Sequence, residues 1–268
     1  MANKHNVLIL GASYGSLLGT KLAMGGHNVT MVCLPAEVAA FNSDGAIVRM
    51  PIKGRDGLVE INSKKLPGKL GAAGTTDVDP AKFDLIVLAM QEPQYRSPGV
   101  RELTEKVAKS GKPCMSIMNM PPLPYLKRIP GLDTSKLRGC FADATVWDAF
   151  DPKLMTLCSP DPQAFRPPEA KVNVLQVRLP TNFKSARFES AAHTQILKDM
   201  EADVDAARFE ADGKALEVPV KLKVHDSIFV PLAKWAMLIA GNYRCVGKDG
   251  MRPIKEAVHS DIDTTRKV

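Results

Sequence analysis

The chain has 268 residues, 45% hydrophobic and 24% charged, which is ordinary for a globular protein and enough for one large α/β domain with a smaller companion. It holds no apolar run of 18 or more residues, and the short one after MANKH meets glycine instead of a cleavage site, so neither a membrane span nor a signal peptide is expected. The net charge of +7 comes from dispersed Lys and Arg with no basic run or interleaved aromatics, which argues against nucleic acid and fits equally well a protein that holds a small polyanion.

In chain order, residues 6–10 (NVLIL) form a continuous apolar run ending in glycine, as a buried parallel strand does. A helix is expected over 15–25, with Leu17, Leu18 and Leu22 on one side, broken by Gly25-Gly26-His27. Val29–Val32 is a second buried strand, which completes a βαβ unit of about 30 residues. The Gly-, Lys- and Pro-rich segment 50–79 reads as short strands and turns. Asp84–Met90 (DLIVLAM) is a core strand, 98–110 a helix and Pro113–Met118 a fifth strand. After Met120 proline punctuation (PPLPYL, SPDPQ, RPPEA) leaves loops and short strands at 154–158 and 173–179. A helix is expected over 190–203, a long and strongly apolar one over 226–246, and a last one led by Pro253. Alternating strands and helices predict an α/β fold with a doubly wound parallel sheet, divided into residues 1–222 and a short helical segment 223–268. Cys33, Cys114, Cys140, Cys158 and Cys245 are odd in number and make no CxxC pair, and none has a histidine at metal-ligand spacing. They read as free thiols of a reducing cytoplasm, and no metal is expected.

The chemistry is expected first at the glycine loop Gly11-Ala12-Ser13-Tyr14-Gly15-Ser16-Leu17-Leu18-Gly19, between the first strand and the first helix. Gly11 allows a tight turn, the helix N-terminus offers free amides to a pyrophosphate, and Gly15 or Gly19 allows close helix–strand approach. The spacing is GxxxGxxxG instead of GxGxxG, so a packing turn without a ligand is the plain alternative. GASYG also fits the GxSxG elbow of serine hydrolases, but that elbow follows a later, central strand, and no Asp and His are well placed downstream for Ser13.

ILGASYGSLLGTKLAMGGHNVTMV resembles the opening of the ketopantoate reductase (2-dehydropantoate 2-reductase) family, a group of NAD(P)-binding Rossmann-type oxidoreductases. FDLIVLAMQEPQ is similar to the family's strand-four segment, SIMNM to the end of strand five, and VHDSIFVPLAKWAMLIAGN to the helix that carries its catalytic lysine. The resemblance runs over roughly 6–245, although 121–220 matches only by order of elements. It implies NAD(P)H-dependent reduction of a 2-oxo acid to a 2-hydroxy acid, with ketopantoate the first substrate to test and a place in pantothenate biosynthesis. It assigns catalysis to Lys234, and substrate contacts to Asn119 and to Asn242, which lies two helical turns beyond that lysine. The cofactor is then expected along Gly11, Ala12, Ser13, Tyr14, Gly15, Ser16, Leu34, Met90, Gln91 and Asn119.

Three departures stand beside it. Gln91 occupies the place where the family often has a lysine. Cys33-Leu34-Pro35 stands where it tends to place an arginine for the NADP 2′-phosphate, and no Asp or Glu is there for the NAD ribose. Only about 25 residues follow Asn242, so the late family residues have no counterpart, either because the chain is incomplete or because the pocket is built differently. NADP is therefore expected as cofactor with a mild preference, NAD being possible. An opine-type, imine-reducing dehydrogenase and a non-catalytic dinucleotide sensor remain open. The apolar 226–246 stretch predicts a homodimer, because a helix apolar around most of its girth needs cover.

Overall fold

The computed structural model describes residues 3–118, 120–159, 164–178, 181–236, 246, 247, 250, 251 and 256. Strand β1 (Asn6–Leu10) leads directly into helix α1 (Ala12–Met24), which begins three residues earlier than periodicity places it, because Gly11 turns the chain within one residue. Then follow β2 (Asn28–Val32), α2 (Pro35–Asp44), the hairpin β3 (Ile47–Pro51) and β4 (Leu58–Asn62), β5 (Leu70–Ala73), β6 (Leu85–Leu88), α3 (Val100–Lys109) and β7 (Cys114–Ser116). Beyond a short helix α4 (Leu123–Leu126) come β8 (Met155–Ser159), β9 (Ala164–Phe165), β10 (Val174–Val177), β11 (Thr181–Ala186), α5 (Ala191–Ala206), the hairpin β12 (Arg208–Ala211) and β13 (Lys214–Glu217), and β14 (Val220–His225).

The main sheet has eight strands in the order β14-β11-β8-β7-β6-β1-β2-β5. From β5 to β8 every pair is parallel, giving the 3-2-1-4-5-6 order of a doubly wound dinucleotide fold. The parallel sheet anticipated from sequence thus forms, with an addition: β11 runs antiparallel to β8 and carries β14 beside it. Both faces are covered, which is why NVLIL shows no alternation. Val7 and Ile9 pack with α1, α2 and α5 through Leu18, Phe41 and Leu197, whereas Leu8 and Leu10 pack with α3 and α4 through Leu103, Val107 and Tyr125. A second sheet, β4-β3-β10-β9, lays Val48, Ile61 and Leu175 against the α1 side of the core. Among the described residues no helix is long and apolar enough to cross a membrane.

Two parts differ from the sequence reading. Helix α2 was not anticipated, although Pro35 at its first position and Glu37 two residues on are start signals. The long helix placed over 226–246 begins only at 229 and is described to 236, and 246–247 are extended and pair with 250–251. The main sheet runs to His225, across the division placed at 222. Pro253 lies outside the described residues.

At the N-terminal edge of the sheet a buried polar cluster ties β1 to α5. The His5 N–H donates to Nδ1 of the fully buried His27, so the His27 proton sits on Nε2, 3.3 Å from Asp203, which also pairs with Lys4 at 2.8 Å. Burial holds His27 down to about 4, with Lys4 and His5 adding to the effect and Asp203 opposing it. The folded pKa lies below the ordinary 6.5, so this stability is complete above pH 6.5 and drains away as pH falls towards 4. The loss is on the order of 3 kcal/mol at the acid end. Urea unfolding at pH 7 and pH 4.5 checks this: His27→Asn, which keeps an acceptor for the His5 amide, is expected to lose markedly less stability between the two pH values. An equal loss in both proteins would clear His27 of the effect.

Candidate functional site: a glycine-turn cleft at the edge of the sheet

Strands β1, β2 and β6 end at the same edge of the sheet, and the chain leaves β1 and β6 towards opposite faces. Such a switch point opens a crevice. A cleft of about 570 Å³ lies there, lined by Gly11, Ala12, Ser13, Tyr14, Cys33, Leu34, Glu37, Thr75, Met90 and Gln91 among others. Gly11 makes the turn with φ of 111°, and its amide is held by the Val32 carbonyl at 2.9 Å. A Cβ on Gly11 would stand 2.7 Å from Met90 Cγ and 2.9 Å from the Ala89 carbonyl oxygen, so only glycine lets the turn pass this close to the end of β6. No side chain caps the start of α1 and no acidic residue sits in its first turn, which leaves the amides and the positive dipole end for an anion.

The walls are held from behind. The hydroxyl of the fully buried Tyr95 accepts the Met90 N–H at 3.3 Å, and Gln94 Oε1 accepts the Gln91 N–H at 2.9 Å. Tyr95 is in turn fixed against Trp147, with ring centroids 5.2 Å apart. Cys33 on the opposite wall is not a nucleophile, since burial and the Glu37 charge push its thiol up to about 12.

Of the residues singled out from sequence, Gly11, Ala12, Ser13, Tyr14, Leu34, Met90 and Gln91 meet in this one cleft. Gly15 and Ser16 lie one turn into α1 and serve its packing: a Cβ on Gly15 would stand 2.6 Å from Ile9 Cγ2, closer than the 3.2 Å at Gly19, and the Ser16 hydroxyl donates to the Ser13 carbonyl. Lys234 lies off the lining, in the helical stretch 229–236. Its Nζ donates to the Asn182 carbonyl at 3.4 Å, just ahead of the β11 residues that pair with the end of β8. That is the same edge of the sheet, beyond the sixth strand of the doubly wound order. Asn119 and Asn242 lie outside the described residues. Ser13 stands on the first turn of α1, directly after β1, which lies inside the sheet between β2 and β6, so the strand itself is central and not the peripheral one expected from its place in the chain.

Sequence reasoning missed Glu37. The expectation that no carboxylate attends the end of β2 is corrected: Glu37 enters the cleft from the first turn of α2, where its Oε2 accepts the Leu34 N–H at 3.2 Å. The proline-led helix start was the signal that could have found it.

No family model and no curated protein sequence matches the chain. Solved structures match it. D-mandelate dehydrogenase, in a ternary structure with NADH and anilino(oxo)acetate, superposes with a TM-score of 0.55 at 14% identity, over 90% of this chain and 64% of that one. A protein named as a ketopantoate reductase, from Ralstonia solanacearum MolK2, gives 0.61 at 14% over 91% and 66%. The 2-dehydropantoate 2-reductase of Methylococcus capsulatus gives 0.51 at 12% over 97% and 74%. The chain spans just under two thirds of the length of the first two. Its fold is that of the ketopantoate reductases and related NAD-dependent dehydrogenases.

Proposed function

We propose that the chain is an NAD(P)H-dependent oxidoreductase that reduces a 2-oxo acid to the 2-hydroxy acid, with 2-dehydropantoate (ketopantoate) to pantoate the first reaction to test. The observation that carries the reading is the glycine-turn cleft at the switch point, with an uncapped helix N-terminus on one wall and a lysine at the same sheet edge beyond the sixth strand.

The residues present fit a dinucleotide. A cradle that a Cβ would fill and free amides at the start of α1 suit a pyrophosphate, and apolar Leu34 suits a purine. Gly11, Ala12 and Ser13 would hold the pyrophosphate, Leu34 the adenosine end, and Met90 and Gln91 the end nearer the chemistry. When bound, the dinucleotide supplies the hydride. Reduction of a ketone builds negative charge on the carbonyl oxygen, and the Lys234 ammonium neutralises that charge and gives up an Nζ proton to it. Asn119 and Asn242 orient the carboxylate and hydroxyl groups of the substrate. The family resemblance leans to NADPH, and the cleft's own carboxylate leans the other way, as argued below.

The test is oxidation of NADPH and NADH with a panel of 2-oxo acids, with and without an amine. Turnover with a keto acid alone is expected; turnover only when amine is present would transfer the reading to an imine reductase. Binding of neither dinucleotide at millimolar concentration would sink it altogether.

We also propose that the chain works as a homodimer joined through the region after His225. Ile228 and Leu232 pack inward against the α3–α4 side of the core, and Phe229 points outward, 51% exposed. Light scattering is expected to give twice the chain mass, and a stable monomer would refute it. The free thiols of Cys33, Cys114, Cys140 and Cys158 fit a reducing cytoplasm.

A further inference from the structure

The adenosine end of the cleft carries a charge pair that the sequence does not announce. Glu37 lines the cleft with its side chain 15% exposed. Its Oε2 accepts the Leu34 N–H at 3.2 Å and its Oε1 accepts from Arg166 Nη2 at 3.0 Å. Arg166 directly follows β9 of the small sheet, so two elements far apart in sequence close on the start of α2. A carboxylate has about four acceptor positions, and these two bonds fix its orientation while leaving capacity for two more donors. Beside it Leu34 stands 70% exposed on the same lip, an apolar surface of the kind a purine covers.

We propose that Glu37, locked by Arg166 and the Leu34 amide, reads the adenosine ribose as a free 2′,3′-diol, so that this chain prefers NADH to NADPH. The proposal rests on the cofactor reading of the cleft given above. Two ribose hydroxyls are donors that match the acceptor positions Glu37 has left. A 2′-phosphate brings about two negative charges and only acceptors to a carboxylate that cannot turn away. The guanidinium that could receive that phosphate is already held by Glu37. The pair therefore acts as a selector: the acid sets the preference, and the arginine serves it by holding the acid still.

Calorimetric titration of the whole chain with NADH and with NADPH tests this. The unaltered protein is expected to bind NADH at least about tenfold more tightly, a difference of about 1.4 kcal/mol. Glu37→Gln keeps the shape and removes the charge, so NADH affinity falls severalfold, and NADPH affinity rises about tenfold as Arg166 is released to the phosphate. Arg166→Ala added to Glu37→Gln erases the NADPH gain. Should Glu37→Gln melt early because it weakens the start of α2, Arg166→Ala alone gives the second reading: the acid loses its lock, so NADH binding falls severalfold, and NADPH binding, which loses a cation while the carboxylate stays, does not rise. Equal or tighter NADPH binding by the unaltered protein, or an unchanged ratio in Glu37→Gln, overturns the proposal and leaves the cofactor cleft standing. Binding of neither dinucleotide overturns both.

Discussion

Replacing Lys234 with alanine is expected to lower turnover by about 10²–10⁴-fold, the usual worth of one acid–base group, with dinucleotide affinity nearly unchanged. The separation follows from position. The lysine lies off the lining of the glycine-turn cleft, so its loss leaves the groups assigned to the pyrophosphate and adenosine in place. Its Nζ donates to the Asn182 carbonyl at 3.4 Å and lies near enough to Cys158 for its charge to oppose the upward push that burial gives that thiol. A cation at the edge of a buried region interacts strongly with a developing oxyanion, because little water is there to screen it. Lys234→Arg separates the two parts of the role. Arginine keeps the positive charge but does not give up a proton at working pH, so only part of the rate should return. Single-turnover kinetics with the best keto acid provide the measurement. An alanine variant with most of its turnover intact would remove Lys234 from the chemistry.

How much of this was legible in the sequence depends on how local each signal is. The strand–glycine–helix opening could be read because a fully buried parallel strand is a continuous apolar run, and NVLIL ends on the glycine that makes the turn. Seven of the residues proposed for the cofactor do meet in one cleft for the same reason: they sit at the ends of β1, β2 and β6, and strand ends in a parallel sheet share an edge. The β11 and β14 addition was invisible, because TNFKSA and VKLKVH are short, half polar and separated by a helix. Their pairing is a tertiary choice and not a local one. Glu37 escaped because strand two was followed only as far as Pro35. The acid reaches the cleft by turning back over one helical turn, which no residue-by-residue alignment of strand ends would show. Arg166 could not have been found at all from spacing, since it lies 129 positions further on and meets Glu37 only through the second sheet.

Gly11→Ala is expected to abolish measurable dinucleotide binding and to destabilise the fold by about 2–4 kcal/mol. Two costs combine. An L-residue at φ of 111° is strained by about 1–3 kcal/mol wherever it stands, and here the new methyl would also lie 2.9 Å from the Ala89 carbonyl oxygen and 2.7 Å from Met90 Cγ. The methionine tip can swing aside, but the carbonyl belongs to the peptide that follows β6, and the Ala89 amide is itself bound to the Leu10 carbonyl at 2.8 Å. Relief therefore requires the turn to open, which carries the α1 N-terminus away from the cleft it serves. Gly15→Ala is the informative contrast. It puts a Cβ 2.6 Å from Ile9 Cγ2, a methyl on the branched β-carbon of a buried strand residue, at an ordinary helical φ, and it sits one turn away from the cleft. It should cost stability by overpacking, about 1–3 kcal/mol, and leave affinity within a few-fold for the fraction that is folded. Urea unfolding and calorimetry on both variants rank the two positions. If Gly11→Ala bound NADH or NADPH as well as Gly15→Ala does, the turn would be a packing device alone, and the cleft's claim to the pyrophosphate would fall with it.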